Sequence, residues 1–156
     1  LTIDGYMIIL QHNNKSAISA NMYAPSASGS VDFKDWKQLE DSDFRQVLIR
    51  AAHREFYEET GFKEDLIADT KIIGVYRNIM RGGKPEYCSV AHLNIRKIDA
   101  LEIFKAEKKE VQDKIETIKI INTTGVLDST IFDNFTDKSA NVLLIAILCC
   151  ISLLFI

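Results

Sequence analysis

The sequence predicts an α+β fold or a mixed β-sheet with α-helices on its faces. Short runs of strand-like composition are interspersed with segments whose apolar residues recur every three to four positions, a spacing typical of helices. These segments lack the regular strand-helix-strand alternation of parallel α/β proteins, which favours the α+β class. The chain has 156 residues, the size of one domain, so we expect a single domain over residues 1–156.

In the first part of the chain, two short strands precede a long helix. GYMIIL at residues 5–10 follows an Asp-Gly turn and indicates a buried strand, and a second strand is expected at residues 22–24. The helix is predicted over residues 44–60, where Asp43 fits a capping position and Gly61 fits the left-handed residue that ends a helix. The apolar face of this helix comprises Phe44, Val47, Leu48, Ala51, Ala52 and Phe56.

The second part of the chain predicts a hairpin, a helix, a strand and a final helix. Two strand-like runs within residues 71–95 flank a loop that contains two glycines and a proline, the pattern of a β-hairpin. A charged amphipathic helix is expected at residues 99–114 and a further strand at residues 117–125. The chain then ends in a predicted helix at residues 141–156.

The C-terminal run at residues 142–156 is apolar at every position except Ser152. It is shorter than the roughly 20 residues that a membrane-spanning helix needs. We therefore expect a core helix or a homodimer interface, with membrane association as the less favoured alternative.

Composition excludes one class of partner and favours one compartment. The net charge is −3 and no basic block occurs, so we expect no binding to duplex nucleic acid. The three cysteines, Cys88, Cys149 and Cys150, have no metal-ligand spacing and are odd in number. They indicate reduced, buried thiols and therefore a cytoplasmic protein.

The predicted long helix carries a cluster of carboxylates near its end. Glu55, Glu58 and Glu59 are spaced three and four apart and share one face, where each pair of like charges costs roughly 0.2 to 0.5 kcal/mol. A divalent cation would remove this repulsion, and oxygen ligands suit Mg²⁺, with Mn²⁺ as a substitute. Such an ion can bridge a diphosphate and lower the pKa of an attacking water. The alternative is a solvated surface patch, which is the usual role of glutamates on a helix.

Arg54 is expected to position one of these carboxylates. Glu55 follows it directly, and side chains of neighbouring residues leave a helix about 100° apart, so we expect no direct pair between them. Glu58 lies one turn further on, where the guanidinium could hold it through a bidentate contact. Glu55 and Glu59 would then remain for the ion.

Residues Arg54–Phe62, REFYEETGF, resemble the second half of the Nudix hydrolase signature, G-x5-E-x7-R-E-U-x-E-E-x-G-U, at every position. The resemblance implies the Nudix fold and a Mg²⁺-dependent hydrolase that cleaves a nucleoside diphosphate linked to another moiety. It also implies metal binding by Glu55, Glu58 and Glu59, with Arg54 and Glu58 in the catalytic site.

This chain departs from the first half of that signature. Counting back from Arg54 without a gap places Gln46 where the family has its first glutamate. Gly29 is a better counterpart of the signature glycine, which implies an insertion of 11 residues before Arg54. Such an insertion is tolerable in a loop.

Further site residues are expected after the long helix. Family members often supply an additional metal ligand or general base after the hairpin, and Glu116 is our choice for that role over Glu107 and Glu110. Arg77 and Arg81 flank the hairpin turn and could contact phosphates of the substrate. For each of these residues the alternative is a solvated surface position.

Two other functions remain open on the same fold. An inactive Nudix-fold module that only binds its ligand would explain Gln46 and the insertion, but it gives no reason to retain three carboxylates. An isopentenyl diphosphate isomerase requires a catalytic cysteine and glutamate in contexts that this sequence lacks.

Overall fold

The computed structural model describes residues 1–15, 20–37, 43–79, 82–107 and 115–122. The strands are β1 (Tyr6–His12), β2 (Tyr23–Pro25), β3 (Ile67–Asn78), β4 (Lys84–Leu93) and β5 (Ile115–Asn122). The helices are α1 (Phe33–Lys37), α2 (Phe44–Thr60) and α3 (Lys97–Glu107), and a 3₁₀ turn at Glu64–Leu66 precedes β3. The expected α+β class is confirmed.

The strands form two antiparallel groups. One sheet has the order β2-β1-β5, with Tyr6 opposite Asn122, and the other is the β3-β4 hairpin, with Val75 opposite Tyr87. The hairpin was predicted over residues 71–95, and its first strand begins at Ile67, four residues earlier. Bulges in β3 and at the end of β1 shift the register locally.

The first residues of the chain connect the two groups of strands. The backbone nitrogen of Leu1 donates to Ala91 O at 2.6 Å, and Leu93 N donates to Leu1 O at 2.7 Å. Ile3 N donates in turn to Ile95 O, so this segment runs parallel to β4 before it continues into β1. Within the described residues the strands thus form two antiparallel sheets linked by a short parallel contact, and not the one mixed sheet that was predicted.

Helix α2 has the bounds that the sequence predicted. The Asp43 side chain accepts from Arg45 N at its start, and Gly61 ends it with a φ of 75°. Helix α3 begins two residues before the predicted residue 99, and residues 108–114 of that prediction lie outside the described residues. The C-terminal helix predicted at residues 141–156 also lies outside them.

The core packs α2 and α3 against β1, β4 and β5. Its centre contains Phe56 and Phe62, whose rings meet edge to face with centroids 5.3 Å apart. The other buried members of this core are Ile8, Leu10, Leu93, Ile95, Ala100, Phe104, Ile115 and Ile118. Cys88 is buried, as the composition led us to expect. Within the described ranges, no helix has both the length and the apolar character to cross a membrane.

Candidate functional site

Arg54 is the centre of the candidate site. Its Nε and Nη2 atoms donate to the two carboxylate oxygens of Asp35 at 2.9 and 3.0 Å. Nη2 also donates to Ser30 O at 2.7 Å, and Nη1 donates to Glu55 Oε1 at 2.7 Å. One guanidinium therefore joins α2 to the segment that contains α1.

The expectation that Arg54 and Glu55 do not pair is wrong. Their side chains leave the helix about 100° apart, but both are long enough to turn toward each other across its surface. Asp35 holds the guanidinium from the other side, so Nη1 remains available for Glu55. The pair is charge-assisted and short, at 2.7 Å.

The sequence had suggested Glu58 as the bidentate partner of Arg54. In the structure this partner is Asp35. A single nitrogen, Nη1, contacts both oxygens of Glu58 at 3.3 and 3.4 Å, which is long for a charge-assisted bond. The carboxylate of Asp35 is 2% exposed and needs the stronger contact, because a buried charge is tolerated only when it is paired. Glu58 is 33% exposed on its side chain and retains contact with water.

Mutual hydrogen bonding keeps Arg54 and Asp35 ionised. The hydrogen bonds from Arg54 lower the pKa of the Asp35 carboxyl despite its burial. The hydrogen bonds to Asp35 raise the pKa of the guanidinium, and Glu55 adds to this effect. The pair is therefore a permanent charged contact between α1 and α2.

Glu59 lies on the inner side of the same helix face. It is 4% exposed, and its Oε2 atom accepts from Ala27 N at 2.6 Å and from Ser28 N at 3.4 Å. Burial raises the pKa of Glu59 to about 8, and the charges of Glu55 and Glu58 act in the same direction. The two backbone N–H groups favour the ionised form, but burial outweighs them, and buried carboxyl groups with a raised pKa are frequent at functional sites.

The loop that receives Glu59 has an unusual backbone. Ala27 has a φ of 63°, in the left-handed region that costs an alanine roughly 1 to 2 kcal/mol. In this conformation the N–H groups of Ala27 and Ser28 both point toward the Glu59 carboxylate. The backbone strain is thus located at the site.

Gly29 lies against the carboxylate of Glu55. A Cβ atom at this position would lie 1.8 Å from Glu55 Cδ, so the close approach requires a glycine. Gly29, which the sequence pattern had singled out, is thus a position where a side chain would clash with Glu55.

Sequence reasoning missed Asp35 as a member of the cluster. Gln46, the position found by counting back without a gap, is exposed in the first turn of α2. Asp35 stands six positions after Gly29, which is the spacing of the glycine and first glutamate in the signature. This spacing was the available signal, and it places the 11 extra residues between Asp35 and Arg54.

The donor set of the cluster suits a hard divalent cation. The carboxylates of Asp35, Glu55 and Glu58 contact Arg54, and Glu59 lies on the same helix, so acidic groups outnumber basic groups in the cluster. Within the described part of the chain, no three acidic, histidine or cysteine side chains are arranged as a ready set of metal ligands. Glu55 faces Arg54 and Glu59 faces the loop, so ligation would require both side chains to turn.

The remaining predicted site residues lie elsewhere or outside the described residues. Arg77 ends β3, where its Nε donates to Gly83 O at 3.1 Å within the hairpin. The backbone of Glu116 lies in β5, which pairs with β1, and Glu107 ends α3. Arg81 and residue 110 lie outside the described residues.

A cavity of about 90 Å³ lies behind the loop that contacts Glu59. Its walls include Met7, Ala27, Phe56 and Val90, with His53 and Thr70 as a hydrogen-bonded polar pair at 2.8 Å. None of the carboxylates around Arg54 lines this cavity, so we do not assign the substrate to it.

The chain matches no model of a known protein family. A search of curated proteins likewise finds no significant match. The resemblance to the Nudix signature therefore depends on residues Arg54–Phe62, together with the geometry of Gly29 and Asp35 around them.

Proposed function

We propose that this protein is a cytoplasmic, Mg²⁺-dependent hydrolase of the Nudix type. Its substrate would be a nucleoside diphosphate linked to another moiety, cleaved at the phosphoanhydride bond. The observation that carries the proposal is Glu59, a carboxyl group that is 4% exposed and lies on the same helix as Glu55 and Glu58. Buried carboxylates in a cluster are costly for a fold, and a bound cation provides a reason to retain them.

Glu55 and Glu59 would hold the ion, with Glu58 at its exposed side. When bound, Mg²⁺ would neutralise diphosphate charge and lower the pKa of a nearby water. Mn²⁺ prefers similar oxygen ligands and could replace it.

The chain's own residues would position the carboxylates. Arg54 contacts both Glu55 and Glu58, so its location determines where these side chains can turn. Asp35 fixes Arg54 through two hydrogen bonds and keeps it charged. Gly29 leaves the space in which the Glu55 carboxylate lies. Positioning of this kind can contribute several powers of ten to a rate.

A substrate panel tests the proposal directly. The purified full chain with Mg²⁺ would be offered nucleoside diphosphate sugars, dinucleoside polyphosphates, ADP-ribose, NADH and nucleoside triphosphates. We expect turnover of at least one class, and loss of at least about 100-fold in kcat for Glu55→Gln and Glu59→Gln. Glu64→Gln is the matched control, because the Glu64 side chain is 80% exposed outside the cluster.

Two outcomes would contradict the hydrolase. No turnover together with no binding of Mg²⁺ or Mn²⁺ by calorimetry would overturn both the activity and the metal site. Ligand binding without turnover of any substrate would instead support the inactive ligand-binding module.

A further inference from the structure

Helix α1 carries a lysine beside the acidic cluster. Lys34 lies one residue before Asp35, whose buried carboxylate is fixed to Arg54. Its Nζ atom lies 3.5 Å from Glu58 Oε1 and 3.7 Å from Asp32 Oδ2. The backbone that bears Lys34 is therefore held against α2, while the ammonium group lies at the rim of the cluster.

Arg54 cannot offer its charge to a substrate without losing structural contacts. All three of its side-chain nitrogens donate, to Asp35, Ser30 O, Glu55 and Glu58. Its side chain is 15% exposed. A guanidinium engaged in this way acts as a positioning group and not as a phosphate ligand.

Lys34, in contrast to Arg54, is exposed and forms long ionic contacts. Its side chain is 57% exposed, and both of its ionic contacts are longer than a charge-assisted hydrogen bond. Exposed pairs of this kind contribute little to stability, so the ammonium can turn to a better acceptor. A lysine also presents three rotatable donors, which suit the oxygens of a tetrahedral phosphate.

We propose that Lys34 binds a phosphate of the diphosphate substrate and so determines specificity for that group. This inference rests on the proposed function, because it places the diphosphate at the ion held by the carboxylates. The surrounding carboxylates repel a phosphate, and a cation on the rim reduces that repulsion where the exposed Glu58 would otherwise oppose binding. The segment before α2 thus supplies a recognition residue for the substrate.

The test measures binding and not turnover. Calorimetry on the full chain gives the affinity for Mn²⁺ alone, and then the affinity for methylenediphosphonate in saturating Mn²⁺. For Lys34→Gln we expect the diphosphonate affinity to fall about five- to tenfold. We expect the Mn²⁺ affinity to stay equal or to rise by up to about twofold, because a positive charge near the ion has been removed.

Lys71→Gln is the matched control. Lys71 is also an exposed lysine in a long ion pair, 3.8 Å from Asp69 Oδ2, but it lies on β3. It should leave both affinities unchanged. A fall in diphosphonate affinity without a fall in Mn²⁺ affinity distinguishes recognition from structural damage, which would weaken the binding of both ligands.

The outcomes separate this inference from the proposed function. If the wild type binds both ligands and Lys34→Gln binds diphosphonate equally well, the role of Lys34 alone is overturned. A parallel loss of both affinities in Lys34→Gln also overturns it, since Lys34 would then be structural. If the wild type binds Mn²⁺ but no diphosphonate, the recognition role fails while the metal site stands. A wild type that binds neither ligand overturns the metal site and this inference together.

Discussion

Raising the pH should destabilise the metal-free protein through Glu59. Because burial raises its native pKa to about 8 from an ordinary 4.5, the folded chain keeps a proton that the unfolded chain has already released. Between these two values the native state binds more protons, so stability falls as the pH rises. The contribution of the neutral Glu59 is fully present below 4.5 and is lost as the pH rises through 8.

The size of the effect follows from the two pKa values. They lie about 3.5 pH units apart, so complete ionisation costs the fold on the order of 5 kcal/mol. The steepest loss is about 1.4 kcal/mol per pH unit. Asp35 acts in the opposite direction, since its pKa is lowered from 3.8, and its contribution is lost only in more acidic solution.

Urea unfolding in the presence of EDTA measures this loss. Glu59→Gln is the matched variant, because its amide is neutral at every pH and its oxygen can still accept from Ala27 N. The difference in unfolding free energy between variant and wild type should change by about 2 to 3 kcal/mol in favour of the variant between about pH 6 and about pH 9. Groups that titrate in both proteins cancel in this comparison.

Parallel pH profiles of the two proteins would refute the reasoning. They would mean that the Glu59 carboxylate ionises without a penalty, either because water reaches it or because the loop turns away. A bound cation would then not be needed to explain the burial of Glu59.

Three further predictions concern the surroundings of the cluster. Asp35→Asn should lower the unfolding free energy by about 3 to 5 kcal/mol in urea, because it leaves a partly buried guanidinium without its main partner; Asp32→Asn, half exposed, should cost less than about 1 kcal/mol. Ala27→Gly should raise the melting temperature, with a gain of about 0.5 to 1 kcal/mol from relief of the left-handed backbone, and a loss would contradict that strain. Gly29→Ala should displace the Glu55 carboxylate and weaken Mn²⁺ binding in calorimetry by about tenfold, while stability changes by less than about 1 kcal/mol; unchanged binding would show that Glu55 is not a ligand.

Local signals in the sequence predicted the elements that depend on local chemistry. The bounds of α2 were correct because Asp43 and Gly61 act within one turn of their own positions. The hairpin followed from glycines between strand-like runs, although the start of β3 was placed four residues late. In each case the determining contacts are close in the chain.

Contacts between distant residues were not predictable in the same way. Asp35 and Arg54 are 19 positions apart, and the intervening insertion hid the spacing that relates Asp35 to Gly29. The parallel contact of Leu1 with β4 spans 90 positions and has no local signature. The pairing of Arg54 with Glu55 was also misjudged. Helix geometry alone does not include the hydrogen bonds by which a third residue, Asp35, orients the guanidinium.

The pairing of β1 with β5 has a consequence for the order in which the chain can fold. During synthesis β1 emerges before the other described strands, and its partner β5 is the last of them. Until then the edge of β1 that faces β5 presents unpaired N–H and C=O groups to other chains, whereas the β3-β4 hairpin can close as soon as it leaves the ribosome. Nascent chains should therefore be more vulnerable to aggregation before β5 is available to pair with β1.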